Sequence, residues 1–123
     1  MTSSTAFRVA AILGFLGVGI GAFGAHGLQA RLEALDTVKT FGTASLYHLV
    51  HAVVLLAISR EYPKFRAAWW SFFFGLLIFS GSLYVLSVSG MRWLGAVTPV
   101  GGLGFLAGWA LLAFPKNAGQ KEP

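Results

Sequence analysis

The sequence predicts an all-α membrane protein, a four-transmembrane-helix antiparallel bundle with a short interfacial amphipathic helix between the first and second spans. Three observations predict it. The 123 residues are 56% apolar and only 11% charged, where soluble domains run near 45–50% and about 25%. Four runs, residues 7–27, 41–59, 67–89 and 94–114, are long enough to cross a hydrocarbon core of about 30 Å. None of the four contains Asp, Glu or Lys, and Arg8 sits at the very edge of the first. A chain this small has too little interior to hide so much apolar surface from water, whereas lipid removes the conflict.

The first span, 7–27, carries Gly14, Gly17, Gly21 and Gly24. Together with Ala10 they alternate by four and three, which keeps them on one helix face. Small residues let helix backbones approach closely in lipid, where no hydrophobic effect drives helices together. The seam is read as tight packing against a neighbour, with a groove for a lipid tail or partner helix as the functional alternative. Arg8 before an apolar run also resembles a secretory signal. A cleaved leader, however, has no use for glycines in helical register.

Residues 28–36 form the one connection of any length. Leu28, Leu32 and Leu35 recur at helical spacing, with Gln29, Arg31, Glu33 and Asp36 elsewhere round the turn. This pattern predicts an amphipathic helix lying on the membrane surface, with Asp36 or Thr37 capping the next helix. The remaining connections are short, so consecutive helices pack as antiparallel neighbours.

The second span, 41–59, runs back through the bilayer and holds Thr43, Tyr47, His48 and His51. The third, 67–89, brings Ser82 and Tyr84, and the fourth, 94–114, brings Thr98. With His26 at the end of the first span, these groups gather in one leaflet's half of the bundle. An imidazole facing lipid is costly, so the histidines point inward and are hydrogen-bonded. The readings are interhelical glue, a metal site, a haem held by histidines of two helices, or a quinone, headgroup or proton-linked site. His48 and His51 cannot both be axial ligands of one haem, because their spacing puts them on one side. In the fourth span, Thr98-Pro99 marks either the start of regular helix or a proline kink in a helix begun at Leu94. Gly101, Gly104 and Gly108 repeat the small-residue spacing. Trp69, Trp70 and Trp93 fall near span ends, where interfacial aromatics belong.

Positive charge sets the orientation. Arg8, Arg60, Lys64, Arg66, Lys116 and Lys121 share one side, against Arg31, Lys39 and Arg92 on the other. Both termini, including the 115–123 tail, are therefore expected in the cytoplasm. The formal charge of +5 fits anionic headgroups rather than nucleic acid. Cysteine is absent, which excludes disulfides, thiolate metal sites and cysteine nucleophiles. No intramembrane carboxylate or lysine exists to couple ion transport. No nucleophile-and-base pair or phosphate loop appears either, so no catalytic residue, metal or cofactor is assigned.

The segments Gly21-Ala-Phe-Gly-Ala-His-Gly-Leu28, Thr43-Ala44 with Tyr47, His48 and His51, Phe79-Ser-Gly-Ser-Leu-Tyr84, Thr98-Pro99 with Gly101-Gly102, and Gly108-Trp109 carry a resemblance. In them the chain resembles the YgdD-like family of small inner-membrane proteins of unknown function, which has mitochondrial relatives. The resemblance implies a four-helix inner-membrane protein and no catalytic residues. The leading expectation is a non-enzymatic packing, assembly or accessory module, as a homo-oligomer or within a larger membrane complex. The alternative is a ligand-binding or transport-related module for a lipid headgroup, quinone, metal or haem, built on the His/Tyr/Thr cluster.

Overall fold

A computed structural model describes residues 1–115; the expected tail, with Lys116 and Lys121, lies outside the described residues except for Pro115. The described residues contain helix and no strand. Helix α1 is Ser3–His26, α2 Gln29–Ala34, α3 Val38–Ser59, α4 Tyr62–Ser89 and α5 Thr98–Ala113, with a 3₁₀ turn, Arg92–Ala96, leading into α5. Among the described residues, four stretches are long and apolar enough to cross a membrane: α1, α3, α4, and the 3₁₀ turn with α5.

The helices extend beyond the apolar runs because local chemistry, not hydropathy, sets their ends. α1 starts at Ser3, since the Thr2 hydroxyl accepts from the Thr5 amide at 3.1 Å and satisfies an orphan donor. α4 starts at Tyr62, where Pro63 sits in the first turn and loses no hydrogen bond there. It bends at Phe65 (φ −108°, ψ 21°) before running on to Ser89. Residues 60–66, expected as a loop, are therefore mostly helix. α4 ends at Gly90, whose φ of 74° suits a residue without a Cβ.

Asp36 and Thr37 do not cap α3 by their side chains. Asp36, at φ 55°, is the left-handed residue that closes α2. The Thr37 amide bonds Leu32 O at 2.9 Å and the Asp36 amide bonds Glu33 O at 3.1 Å, the paired closure of a Schellman ending. The Thr37 hydroxyl turns away and donates to Ser87 O at 2.7 Å. Beside it, Arg31 Nε donates to Val88 O at 2.6 Å. Two of the last carbonyls of α4, which no helical amide reaches, are thus satisfied by the segment between α1 and α3. Leu32 anchors that segment and is buried.

The spans pack in chain order. α1 lies against α3, α3 against α4, and α4 against α5, while α1 and α5 do not meet. The main core runs from Ala6, Ala10 and Leu13 through Leu55 to Trp69, Phe72, Leu76 and Phe105. Trp69 corrects a sequence reading: it is fully buried, not an exposed interfacial aromatic. Its indole donates to Ser59 Oγ at 2.9 Å, and Trp70 donates to the Tyr62 hydroxyl at 2.8 Å. The half of the bundle near the termini therefore has hydrogen bonds of its own. Trp93, by contrast, is exposed.

Glycines decide how close the helices come. A Cβ at Gly101 would stand 2.3 Å from Phe79 N, and one at Gly104 3.0 Å from Gly75 Cα. α4 and α5 thus touch backbone to backbone, and Gly108 admits the Phe72 ring. On α1, a Cβ at Gly24 would strike the Phe41 ring and one at Gly21 would lie 3.0 Å from Ser45 Oγ, while Gly14 faces open space.

Candidate functional site

The expected polar cluster is not one site; its members divide into three groups and two outliers. His48 and Tyr84 form the first group. His48 Nε2 lies 2.8 Å from Leu13 O and Nδ1 lies 2.8 Å from the Tyr84 hydroxyl. A carbonyl only accepts, so Nε2 carries the proton and the tyrosine donates to Nδ1. Gly17 makes this reach possible. Leu13 O sits one turn before it, and a Cβ at Gly17 would stand 3.2 Å from the imidazole. The small-residue face of α1 and the histidine of α3 are one device, joining α1, α3 and α4.

Ser82 and Thr98 form the second group, with oxygens 2.7 Å apart between α4 and α5. Thr98 also reaches Leu94 O at 3.2 Å and Ser82 reaches Phe79 O at 3.0 Å. One hydroxyl donates to the other, and the recipient keeps its carbonyl. Regular helix begins at Thr98, with Pro99 in its first turn and 3₁₀ geometry before it. The Thr98 side chain makes no cap; it spends its oxygen on Ser82.

Tyr47 and His51 form the third group, on the α5 side of α3. His51 Nδ1 donates to Tyr47 O at 2.8 Å, and Nε2 accepts from Trp109 Nε1 at 3.2 Å. The imidazole stacks on Phe105 at 3.7 Å and 9°. Tyr47 packs its ring 4.7 Å from Phe79 and 6.0 Å from Phe105. These side chains line a cleft of about 610 Å³ between α3 and α5, with α4 as its floor and Pro99, Gly102, Leu103 and Leu106 on its far wall. Tyr84 and Tyr62 spend their hydroxyls on neighbours; Tyr47, 40% exposed, donates to no group among the described residues.

The outliers are His26 and Thr43. His26 ends α1 and is exposed, far along the chain from the other imidazoles. Thr43 returns its hydroxyl to Lys39 O on its own helix at 3.1 Å. Depth also differs from the sequence reading. At 1.5 Å per residue, α3 from Val38 to Ser59 puts His48 at mid-helix. His51 lies slightly beyond it, toward the termini. Ser82, seven residues from the end of α4, and Thr98, at the start of α5, do lie toward the α2 end, where the sequence reading placed them.

No trio of His, Asp or Glu side chains is placed to hold a metal among the described residues. Both nitrogens of His48 and of His51 are already engaged. A metal or haem iron has no free imidazole lone pair there without breaking an interhelical bond.

Sequence reasoning missed Phe105 and the role of Trp109, because an apolar span of Leu, Phe and Trp gives no hint of which ring meets a histidine. Only the Gly108-Trp109 pair marked the place. Ser80, within the Phe79–Tyr84 segment, has a buried hydroxyl that donates to Ala44 O at 2.8 Å.

A family model described as a protein of unknown function (DUF423) matches residues 20–102. The chain belongs to the DUF423 family. It is 41% identical over 117 residues to the UPF0382 inner membrane protein YgdD of Escherichia coli strain K12, covering 91% of this chain and 88% of that one. It is 39% identical over 108 residues to the UPF0382 membrane protein YwdK of Bacillus subtilis strain 168, covering 83% and 87%. A UPF0382 membrane protein of Schizosaccharomyces pombe is 38% identical over 116 residues, covering 88% and 98%. No solved structure matches. The DUF423 segment takes in the Tyr47–His51 stretch, Tyr84 and Thr98; Leu13, Phe105 and Trp109 lie outside its bounds. As a DUF423 member with four membrane-length apolar helices, the chain is a multi-pass membrane protein.

Proposed function

We propose that this protein is a non-enzymatic binding module of the cell's inner membrane. In this reading, it holds a lipid-phase molecule bearing a hydrogen-bond acceptor, of which an isoprenoid quinone is the type, in the cleft between α3 and α5. The observation that carries the reading is the Tyr47 hydroxyl, 40% exposed and without a hydrogen-bond partner among the described residues, in a cleft walled by Phe79, Phe105 and Leu103. A donor without a partner in hydrocarbon is costly, and a carbonyl oxygen would satisfy it. The cleft volume falls in the range of small-molecule sites.

Elimination supports the same ligand class. Metal and haem are disfavoured by imidazoles whose nitrogens are occupied. A phospholipid headgroup belongs at the membrane surface, while Tyr47 Cα lies about 14 Å along α3 from Val38. The assembly reading rested on the glycine seams, and Gly17, Gly24, Gly101, Gly104 and Gly108 are used inside the chain. Catalysis is disfavoured because no nucleophile with a base faces the cleft. The excess of cations at their end supports a cytoplasmic side for both termini.

The test is thermal unfolding of the purified full chain in detergent with added short-tail quinone. Wild type should be stabilised. Tyr47→Phe should weaken binding about fivefold, the loss of one hydrogen bond. Gly102→Leu should abolish binding and remain folded, since a Cβ there meets only Phe79, at 3.9 Å. Absence of stabilisation, with a photo-crosslinker at Leu103 trapping a discrete protein in native membranes, would replace this reading with the accessory one.

A further inference from the structure

We infer that the opposite end of the molecule from α2 carries a site for one anionic phospholipid, gripped at its phosphate by Lys64 and Arg66. The bend of α4 at Phe65 is the origin of the site. It interrupts the helix between the two cations, so both line one cavity of about 360 Å³ closed on its other side by Leu111 and Pro115. Among the described residues, neither cation is fully answered. Lys64 Nζ stands 3.7 Å from Glu61 Oε2, with both side chains about two-thirds exposed, a geometry that contributes little. Arg66 has no carboxylate within reach among the described residues and rests 5.8 Å from the centre of the Tyr62 ring.

Charge and depth choose the occupant. Among the described residues, this end of the bundle holds Arg8, Arg60, Lys64 and Arg66 against the single carboxylate Glu61; the α2 end holds Arg31, Lys39 and Arg92 against Glu33 and Asp36. The cavity sits at the first turns of α4 and the end of α5, the level at which headgroups lie. A guanidinium fork beside an ammonium matches a phosphodiester, and Ala67, Ala68 and Leu111 give its glycerol and upper acyl chain an apolar wall. A zwitterionic lipid presents the same phosphate but adds an ammonium, for which this end offers, among the described residues, only Glu61, already beside Lys64. The site therefore favours a net negative lipid.

Native mass spectrometry of the full chain, released from nanodiscs of equal phosphatidylglycerol and phosphatidylcholine, tests the inference. Wild type is expected to retain one phosphatidylglycerol at least tenfold over phosphatidylcholine. Equal retention of the two lipids overturns the proposal without any variant. The Lys64→Gln/Arg66→Gln pair should lose the preference, while Arg8→Gln/Arg60→Gln, with the same charge change, should keep it. Equal loss in both pairs would mean a diffuse surface charge and overturn the site. Displacement of the lipid by millimolar inorganic phosphate would overturn the lipid assignment in favour of a free anion. Should the first pair fail to fold, Arg66→Lys, which keeps the charge and removes the fork, must reduce the preference, or the site is refuted.

Discussion

At the scale of single residues, the buried polar groups act through the partners their tautomers allow. His48 donates from Nε2 to Leu13 O and accepts from Tyr84, so Tyr84→Phe leaves one nitrogen without a donor. The expected cost is about 1 kcal/mol, the size of an interhelical hydrogen bond in lipid, read as a lowered unfolding midpoint in detergent. Glycines offer a sharper contrast. Gly101→Ala would place a methyl 2.3 Å from Phe79 N, forcing backbones apart at about 3 kcal/mol. Gly14→Ala meets nothing within 4 Å and should be neutral or stabilise by up to about 1 kcal/mol through helix propensity. Equal effects of the two changes would refute the packing described here. The sequence made the seam legible, since spacings of three and four put small residues on one face. It did not reveal that Gly17 leaves room for Leu49 and His48, because a glycine's neighbour is a property of the partner helix. For the same reason the histidines were legible as inward-facing, yet not as reaching different neighbours, His48 toward Leu13 and Tyr84 and His51 toward Trp109.

Among the elements, α2 and the residues flanking it act on the end of α4, at carbonyls fifty or more residues away in sequence. Arg31 and Thr37 satisfy Val88 O and Ser87 O, and Arg31 also brings positive charge to the negative end of the α4 dipole. Thr37→Val keeps the shape and removes the donor, leaving a buried carbonyl unpaired at a cost of about 1–3 kcal/mol. Hydrogen exchange should quicken in the last turn of α4, up to the Gly90 amide, while the α4–α5 interface keeps its protection. Uniform quickening throughout α4 would show that the two residues do not act locally. None of this was legible from the leucine pattern of residues 28–36. That pattern reports which face is apolar, not what the polar side chains reach. The true bounds of α4 were hidden likewise, because Tyr62–Arg66 is too polar for a hydropathy reading yet its proline sits where a helix tolerates one.

For the molecule as a whole, the fold class was almost entirely legible because the bilayer allows so few solutions: an apolar run of some twenty residues has to be a helix. The lateral order of the spans was not, since hydropathy says nothing of neighbours. The topology proposal makes its own prediction. Reporters fused at Met1 and after Pro115 should both signal from the cytoplasm, and one placed between Gln29 and Ala34 should not. Reporters at the two ends on opposite sides would contradict an even number of crossings.

The separation of α1 from α5 bears on how the chain is made. Every extensive interhelical contact joins a span to the one synthesised just before it. A nascent chain leaving the insertion machinery can therefore dock each hairpin as soon as it emerges. Such local closure keeps the entropic cost of long loops out of the folding path, and no earlier helix waits unpaired for a late partner.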